Sequence, residues 1–284
     1  MKHPIATTTK HRFKWNDITE LPCYYNSPDG EFSFISFRIY KFDKRITVVA
    51  LPFFYMDQPG SAGETITLDE ETSRHVAQVL RRKAGEEIHL TDGKGSLFTT
   101  EIVINDKKKC QVRIQTITHN PPSTRIISMG ISLVKNSSRF EWLLEKVTEI
   151  GIREIIPLIC SRTEKQKFRR ERMQGIVVSA MLQSQQCWLP ILHEPVSFET
   201  IVLQAEHQQK FIAHCLNENR SNLASMANTA INSQIILIGP EGDFTPTEIE
   251  LAMQNHFIPV TIGKTRLRTE TAGVVSAAIL KLKE

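Results

Sequence analysis

Hydrophobic and polar positions follow two different patterns along the chain, and the first covers residues 51–122. Here short apolar runs are separated by turn residues, as is typical of β-structure. Asp92-Gly93-Lys94-Gly95 lies between two such runs and indicates a hairpin. Four positions recur instead at helical spacing: Ser73, Val76, Val79 and Leu80. The pattern predicts a small β-barrel with one helix.

The second pattern begins after Asn120-Pro121-Pro122-Ser123, a natural linker. Strands are predicted at residues 126–134, 155–159 and 211–215, and a helix at 138–150. A further helix is expected to turn four residues toward the core: Ile176, Val177, Ala180 and Met181. Strands that alternate with helices predict an α/β fold with a mostly parallel sheet and helices on both faces.

Two of the predicted helices carry start and stop signals. Ser138 and Glu141 form a capping box, and Gly151 can end that helix in the left-handed conformation. Thr245-Pro246-Thr247-Glu248 combines an N-cap threonine, a proline at the first helical position and a second capping box. Both helices should therefore begin close to these residues.

Two glycine-centred turns follow apolar strands near the C-terminus. Residues 235–238 lead into Gly239-Pro240-Glu241-Gly242, and residues 260–262 lead into Gly263. Ligands of parallel sheets bind beyond the carboxyl ends of the strands, and glycine lets a ligand approach the main chain. Two adjacent strand ends of this kind predict one shared small-molecule pocket. A P-loop is excluded at Gly263, because Ile258 stands where that motif requires glycine.

Composition narrows the class of protein without identifying a partner. The chain has 284 residues, 40% hydrophobic and 23% charged, with a formal net charge of +4. No apolar run reaches the length of a membrane span, so no membrane association is expected. The five cysteines include no Cys-x-x-Cys pair, so neither a disulfide framework nor a metal site is predicted, and a reducing cytoplasm is the expected compartment.

Three blocks of sequence, in order, resemble one family. They are Lys135-Asn136-Ser137-Ser138-Arg139-Phe140-Glu141, Gly239-Pro240-Glu241-Gly242 and Leu267-Arg268-Thr269-Glu270-Thr271-Ala272. This pattern is similar to the RsmE family of 16S ribosomal RNA uridine-N3 methyltransferases, within the SPOUT superfamily. The resemblance covers most of residues 50–284.

The resemblance implies a domain organisation. Residues 123–284 would form a SPOUT methyltransferase domain with a knotted, mostly parallel sheet, and residues 49–122 a PUA-like β-barrel that binds RNA. Residues 1–48 lie before the resemblance begins. They are expected to be a poorly ordered extension or an artefact of an upstream start codon.

The resemblance also implies S-adenosyl-L-methionine as the cofactor, held across the two turns. The implied cofactor-binding residues are His214, Leu237, Ile238, Gly239, Pro240, Glu241, Gly242, Ile262, Gly263, Leu267, Arg268, Thr269 and Thr271. For His214, a half-buried structural histidine is an equal alternative. Arg268 is the first catalytic candidate, because a cation beside uracil would favour the deprotonated N3. Arg162 is a weaker candidate, and Glu270 could serve as a base or orient an arginine.

The implied partner is 16S rRNA in the small ribosomal subunit, bound by a homodimer. The basic run from Arg162 to Arg172 could neutralise phosphates, although a solvated face is the alternative. The candidate RNA-binding residues are Arg74, Arg81, Arg82, Arg139, Arg162, Lys165, Lys167, Arg169, Arg170 and Arg172. Another SPOUT enzyme, acting on tRNA or a 2′-hydroxyl, and a non-catalytic RNA-binding or ribosome-assembly protein remain alternatives.

Two segments depart from the family pattern. Asp243 stands where many members have a second glycine, which leaves its backbone conformation and its charge near the pocket open. Gln186-Cys187-Trp188 replaces a stretch that is often richer in glycine, serine or arginine. The departure argues against an RNA-contacting role for that stretch, and Trp188 is expected to serve in packing.

Overall fold

The computed structural model describes residues 51–164, 167–216 and 220–282, together with the backbone of 20–26 and 32–38. Those last two segments are strands β1 (Glu20–Asn26) and β2 (Phe32–Arg38), which pair antiparallel in a unit of their own. The rest of the predicted N-terminal extension lies outside the described residues.

A five-stranded sheet forms the first part of the larger unit. Its strands are β3 (Phe53–Tyr55), β4 (Thr65–Thr67), β5 (Glu87–Thr91), β6 (Ser96–Ile104) and β7 (Gln111–His119), in the order β3-β5-β6-β7-β4. The predicted hairpin is the antiparallel β5–β6 pair. Alternate residues of β5, β6 and β7 point into one apolar core, among them Ile88, Phe98 and Val112. The sheet curls around this core as the β-barrel pattern predicted.

The helix of this part differs from the prediction. Helix α1 (Glu70–Arg74) begins at Asp69, whose carboxylate accepts the Thr72 backbone N–H at 2.8 Å. It continues as a π-helical turn, His75–Val79. The wider turn rotates the following side chains, so that Val76 is buried whereas Val79 and Leu80 are 65% and 37% exposed. Of the four positions at helical spacing, only Ser73 and Val76 are buried.

The remainder is an α/β domain. Its strands are β8 (Ile126–Ser132), β9 (Glu154–Ile159), β10 (Ile191–Leu192), β11 (Val196–Ser197), β12 (Gln209–Ala213), β13 (Ser221–Asn222), β14 (Ser233–Ile238) and β15 (Ile258–Thr261). They pair in parallel in the order β10-β9-β8-β14-β12-β15-β13, with β11 also on β9. The predicted parallel sheet is confirmed. The predicted knot stays a prediction, because strand order does not define how the chain threads.

Helices cover both faces of this sheet. They are α2 (Ser137–Ile150), α3 (Arg170–Gln183), α4 (Phe198–Gln204), α5 (Leu223–Met226), α6 (Pro246–Gln254) and α7 (Thr269–Lys281). One apolar core joins α2, α3, α5 and α7 to the sheet, and a second joins α4 and α6 to its other face. The α/β architecture with two covered faces is confirmed.

Three helix ends test the capping predictions. Helix α6 begins with the predicted box, in which Thr245 and Glu248 bond each other's backbone. Helix α2 ends at Gly151 with φ 91°, as predicted. It begins earlier than predicted, however, because the Asn136 side chain accepts the Ser138 N–H at 2.9 Å. Asparagine is as good an N-cap as serine, and the position nearer the strand takes the role.

Hydrogen bonds between two loops join the two parts of the larger unit. One loop is Gly93–Gly95 in the β5–β6 hairpin, and the other is Cys187–Leu189 after α3. Gly95 donates its N–H to the Cys187 carbonyl at 2.9 Å, and the Leu189 N–H donates to the Gly93 carbonyl at 2.8 Å. The Trp188 indole donates to the Asn120 carbonyl at 3.0 Å. The predicted packing role of Trp188 thus has a definite place, the junction between barrel and sheet.

The described cysteines are free thiols: Cys110, Cys160, Cys187 and Cys215. Burial raises the pKa of the Cys160 thiol to about 12, so it stays protonated at neutral pH. Among the described residues, no group of His, Cys, Asp and Glu side chains is arranged to hold a metal ion. No helix in the described part of the chain is long and apolar enough to cross a membrane.

Candidate active site

A crevice of about 580 Å³ opens at the carboxyl ends of β14, β12 and β15. One wall is the turn after β14, residues 238–243, and another is the segment from Val260 to Ala272. The floor between them carries Ala213, His214 and Cys215, with Arg220 nearby. The sequence predicted that the two strands with glycine turns, β14 and β15, are adjacent, and this was wrong. Strand β12 lies between them, which is why its end reaches the centre of the crevice.

Backbone contacts fix the turn after β14. The buried Thr269 hydroxyl donates to the Gly239 carbonyl at 3.0 Å and ties the turn to the start of α7. Arg162 Nη1 donates to the Gly242 carbonyl at 2.7 Å from the other side. The Glu241 carboxylate accepts the Lys135 N–H at 3.1 Å. The turn is therefore held by three separate segments before any ligand is bound.

Asp243 adopts the left-handed backbone conformation, with φ 65°. The conformation is costly for most side chains, and aspartate is among the few that tolerate it. Its carboxylate accepts the Cys215 N–H at 2.7 Å and the Phe244 N–H at 2.8 Å. Aspartate thus replaces glycine in the required conformation and also fastens the end of β12 to the turn.

Most predicted cofactor-binding residues meet at this crevice. Those on its walls are His214, Ile238, Gly239, Pro240, Glu241, Ile262, Gly263, Leu267, Arg268 and Thr269. Leu237, Gly242 and Thr271 are not among the wall residues. Leu237 is fully buried within β14, and the Arg162 side chain packs against Gly242. Their assignments stay predictions.

The loop between β15 and α7 carries charges that the sequence had not singled out. Lys264 and Arg266 lie on the crevice wall beside Arg268, and all three are exposed. Gly263 at the start of the loop has open space where a Cβ would stand. The sequence signal was available, since three cations lie within five residues.

The catalytic candidates occupy different positions. Arg268 lines the crevice. Glu270 is buried in the first turn of α7, with its carboxylate Oε1 3.6 Å from Arg139 Nε. Arg162 contacts carbonyls of the turn and is not a wall residue. The structure therefore brings only Arg268 directly to the crevice, while Glu270 and Arg162 support its surroundings.

Three arginines of the basic run at 162–172 are engaged with protein groups: Arg162, Arg170 and Arg172. Arg172 makes a bidentate pair with Glu141, at 2.7 and 2.8 Å, and Arg170 contacts Glu194 at 3.2 Å. Proximity to Arg172 lowers the pKa of the Glu141 carboxyl. These contacts fasten α3 to neighbouring elements. They reduce the charge available for phosphates.

The other candidate RNA-binding residues are mixed. Lys167 and Arg169 are exposed, and Lys165 lies outside the described residues. In the barrel, Arg74 pairs with Glu70 at 3.0 Å and Arg82 Nη1 lies 4.0 Å from Glu86, while Arg81 is exposed. None of the barrel arginines lines the crevice. An RNA role for these residues stays a prediction.

Comparison with protein families and relatives agrees with this architecture. Residues 121–281 match the family model described as an RNA methyltransferase domain, and residues 68–115 match an RNA methyltransferase PUA domain. The ribosomal RNA small subunit methyltransferase E of Synechocystis sp. is 30% identical over 220 residues, which cover 75% of this chain and 72% of the relative. The Bacillus subtilis protein of that name is 26% identical, over 73% and 86%.

Solved structures give the same result. A probable rRNA methyltransferase from Porphyromonas gingivalis superposes with a TM-score of 0.75 at 34% identity, over 80% of this chain and 95% of that protein. A ribosomal RNA small subunit methyltransferase E from Neisseria gonorrhoeae, bound to S-adenosyl methionine, gives 0.74 at 28%, over 82% and 97%.

The fold and the crevice define a SPOUT-type RNA methyltransferase domain joined to a PUA-like barrel. Within that class, the chain belongs to the ribosomal RNA small subunit methyltransferase E family. The family recognised from the three sequence blocks is thereby confirmed. The predicted domain boundaries stay predictions.

Proposed function

We propose that this protein transfers a methyl group from S-adenosylmethionine to N3 of a uridine in 16S rRNA. The observation that carries the proposal is the crevice at the ends of β14, β12 and β15, in a chain of this family. A relative of similar fold is bound to S-adenosyl methionine.

The crevice fits such a cofactor in size and chemistry. Its volume lies within the usual range for small-molecule sites, roughly 300–1,000 Å³. Ile238, Ile262 and Leu267 offer apolar surface for a purine. The open space above Gly263 lets a ligand reach the main chain. Glu241 and Asp243 place negative charge on the wall that would face a positively charged sulfonium or amino group.

When bound, the cofactor supplies an electrophilic methyl group on a sulfonium. The protein must then favour the deprotonated form of the uracil imide. Arg268 is the wall residue suited to this, because its guanidinium would stabilise negative charge that develops on the uracil oxygens. Glu270 is paired with Arg139 and would hold the Arg139 side chain beside the start of α7. Arg162 would keep the turn at Gly242 in place.

The RNA must present a base that has left its stack, because N3 lies on the pairing edge. The small ribosomal subunit is the proposed context, in the cytoplasm, with the PUA-like barrel as a second RNA contact.

A homodimer is also proposed. Its support is Trp142, which is 43% exposed on α2, a helix that begins beside the crevice turn. Sedimentation of the wild-type chain and Trp142→Ser would test that interface.

Mass mapping of 16S rRNA from cells with and without the gene tests the substrate. Loss of an N3-methyluridine in the deletion strain is expected, and its return with the wild-type gene. Unchanged N3-methyluridine would contradict the assignment, and loss of a 2′-O-methyl group from 16S rRNA would favour a 2′-hydroxyl enzyme. A modification lost from tRNA of the same strains would favour a tRNA enzyme. Calorimetric titration with S-adenosylmethionine separates the non-catalytic alternative, which predicts no binding.

Arg268→Ala tests the catalytic assignment. We expect kcat to fall by at least about a hundredfold, as is typical when a group that stabilises developing charge is removed. The free energy of unfolding should change little, because the side chain is exposed. Arg113→Ala, at an exposed position of the barrel, is the control for loss of one charge. Wild-type turnover in Arg268→Ala would remove this residue from the mechanism.

A further inference from the structure

The loop between β15 and α7 carries two cations that the mechanism above does not use. Lys264 and Arg266 are exposed on the wall of the crevice. Among the described residues, neither side chain has an ion pair or a hydrogen bond. The loop itself is shaped locally, since the Thr261 hydroxyl donates to the Gly263 carbonyl at 2.8 Å. Two uncompensated charges are thus presented at the mouth of the site.

Three arginines of the basic run at 162–172 compete poorly for the same role. Arg170 and Arg172 already pair with Glu194 and Glu141, and Arg162 is bonded to the turn at Gly242. Binding a phosphate with these groups would first break protein contacts. Lys264 and Arg266 would give up only solvent and counterions, whose release favours binding.

Charge is divided between the two sides of the crevice. Glu241 and Asp243 lie on the turn after β14, whereas Lys264, Arg266 and Arg268 lie on the opposite loop. The N-terminus of α7 begins directly after that loop and adds a partial positive charge. An anionic ligand is therefore favoured on the loop side, and a cationic group on the turn side.

We propose that Lys264 and Arg266 bind RNA phosphates that flank the target nucleotide, so that the substrate strand enters over this loop. The inference rests on the proposed methyl transfer to RNA and assigns the side of the crevice from which RNA approaches. Arg268, the next cation along the chain, then meets the base itself. Phosphate contacts of this kind orient the strand and add affinity that depends on salt.

The test is the affinity of Lys264→Ala/Arg266→Ala for small ribosomal subunits that lack the modification, measured over a series of salt concentrations. We expect the Kd to rise about tenfold or more at low salt, and the slope of log K against log salt to fall by about 2. The Kd for S-adenosylmethionine should stay within about twofold of wild type. Thermal unfolding should be unchanged, because both side chains are exposed.

Two matched variants sharpen the result. Lys264→Arg/Arg266→Lys keeps both charges and should keep the wild-type salt slope. Lys146→Ala removes one charge that is paired with Glu145 and Glu149 and should change RNA binding little. An unchanged Kd and slope in the double alanine variant would overturn the proposal. So would weaker S-adenosylmethionine binding with RNA binding intact, because the loop would then serve the cofactor. Methylation by the wild-type protein would leave the proposed function standing in either case.

Discussion

At the scale of single residues, the crevice depends on a side chain that stands in a conformation few side chains accept. Asp243 has φ 65°, and its carboxylate links Cys215 at the end of β12 to the turn after β14. Glycine would supply the conformation without the link, and alanine would supply neither. Backbone conformation and hydrogen bonding can therefore be separated by substitution at one position.

We expect Asp243→Ala to lower the free energy of unfolding by about 1–3 kcal/mol, from lost hydrogen bonds and left-handed strain. Asp243→Gly should be less harmful, because it removes the strain and loses only the bonds. Urea unfolding would measure the stability of each variant. Calorimetry would measure the Kd for S-adenosylmethionine, which should rise in both variants. Equal stability of the wild type and Asp243→Ala would show that the carboxylate contacts contribute nothing.

A second residue-scale feature links stability to pH. His207 Nε2 lies 2.8 Å from Ser128 Oγ, and its buried Nδ1 has no partner among the described residues. Burial lowers the pKa of His207, an effect that Lys210 assists and Glu154 opposes. A proton on Nδ1 would create a buried donor without an acceptor, so the folded protein favours the neutral ring.

The unfolded chain therefore binds this proton more readily than the folded one. The free energy of unfolding should fall as the pH drops below about 6.5, the unperturbed value, toward the lower pKa of the folded state. Urea titrations at several pH values would detect it. His207→Asn should flatten this part of the profile, whereas His256→Asn, at an exposed position, should not. The same slope in His207→Asn would assign the effect to other groups.

At the scale of elements, the site rests on the close packing of α7 against α2 and β8. A Cβ at Gly273 would lie 2.6 Å from Leu143 Cδ1 and 2.9 Å from Ile131 Cδ1. The absence of a side chain lets α7 approach these elements. Helix α7 in turn carries Thr269, which bonds the Gly239 carbonyl in the crevice turn. Displacement of the helix would therefore reach the site.

Gly273→Ala should lower the free energy of unfolding by about 1–3 kcal/mol through overpacking. Gly175→Ala is the matched control in α3, because its added methyl group would have open space. There the better helix propensity of alanine should raise stability by roughly 0.5–1 kcal/mol. Chemical denaturation of both variants would measure the two changes in the free energy of unfolding. If Gly273→Ala stabilised the protein as Gly175→Ala is expected to do, close packing at Gly273 would be contradicted.

Local patterns predicted most elements, and what they missed depends on contacts distant in sequence. Thr245 and Glu248 predicted the start of α6, because a capping box is a pattern contained within four consecutive residues. The place of β12 between β14 and β15 has no such local signal. The engagement of Arg172 was also hidden, because its partner, Glu141, lies on another helix. The sequence thus identified the crevice turns correctly and could not tell which cations were already paired.

At the scale of the whole molecule, the barrel and the α/β domain meet through paired backbone and a stacked indole. Trp188 carries Arg153 over its ring at 4.8 Å and lies against His119. Gly95 has φ 100°, and a Cβ there would lie 2.5 Å from Trp188 Cζ2. The junction connects the barrel, which is a candidate for RNA binding, to the domain that carries the crevice.

Gly95→Ala should disturb this junction and raise the KM for small ribosomal subunits, by about tenfold for a loss near 1.4 kcal/mol. The Kd for S-adenosylmethionine should change little, because the crevice lies elsewhere. Gly85→Ala introduces the same kind of backbone strain at φ 87° with open space around the methyl group, and serves as control. If both variants behave alike, strain rather than the junction accounts for the effect.

The late position of the last crevice wall has a consequence for synthesis of the chain. Strand β12 is flanked by two strands that are made after it, and the wall from Ile262 to Ala272 comes later still. A nascent chain that has emerged through β15 already contains every strand of the barrel and of the parallel sheet. It still lacks the loop and helix that close the pocket. The crevice is therefore completed only after the last strand of the sheet has been made, and a chain that terminates after β15 would hold the sheet without the closed pocket.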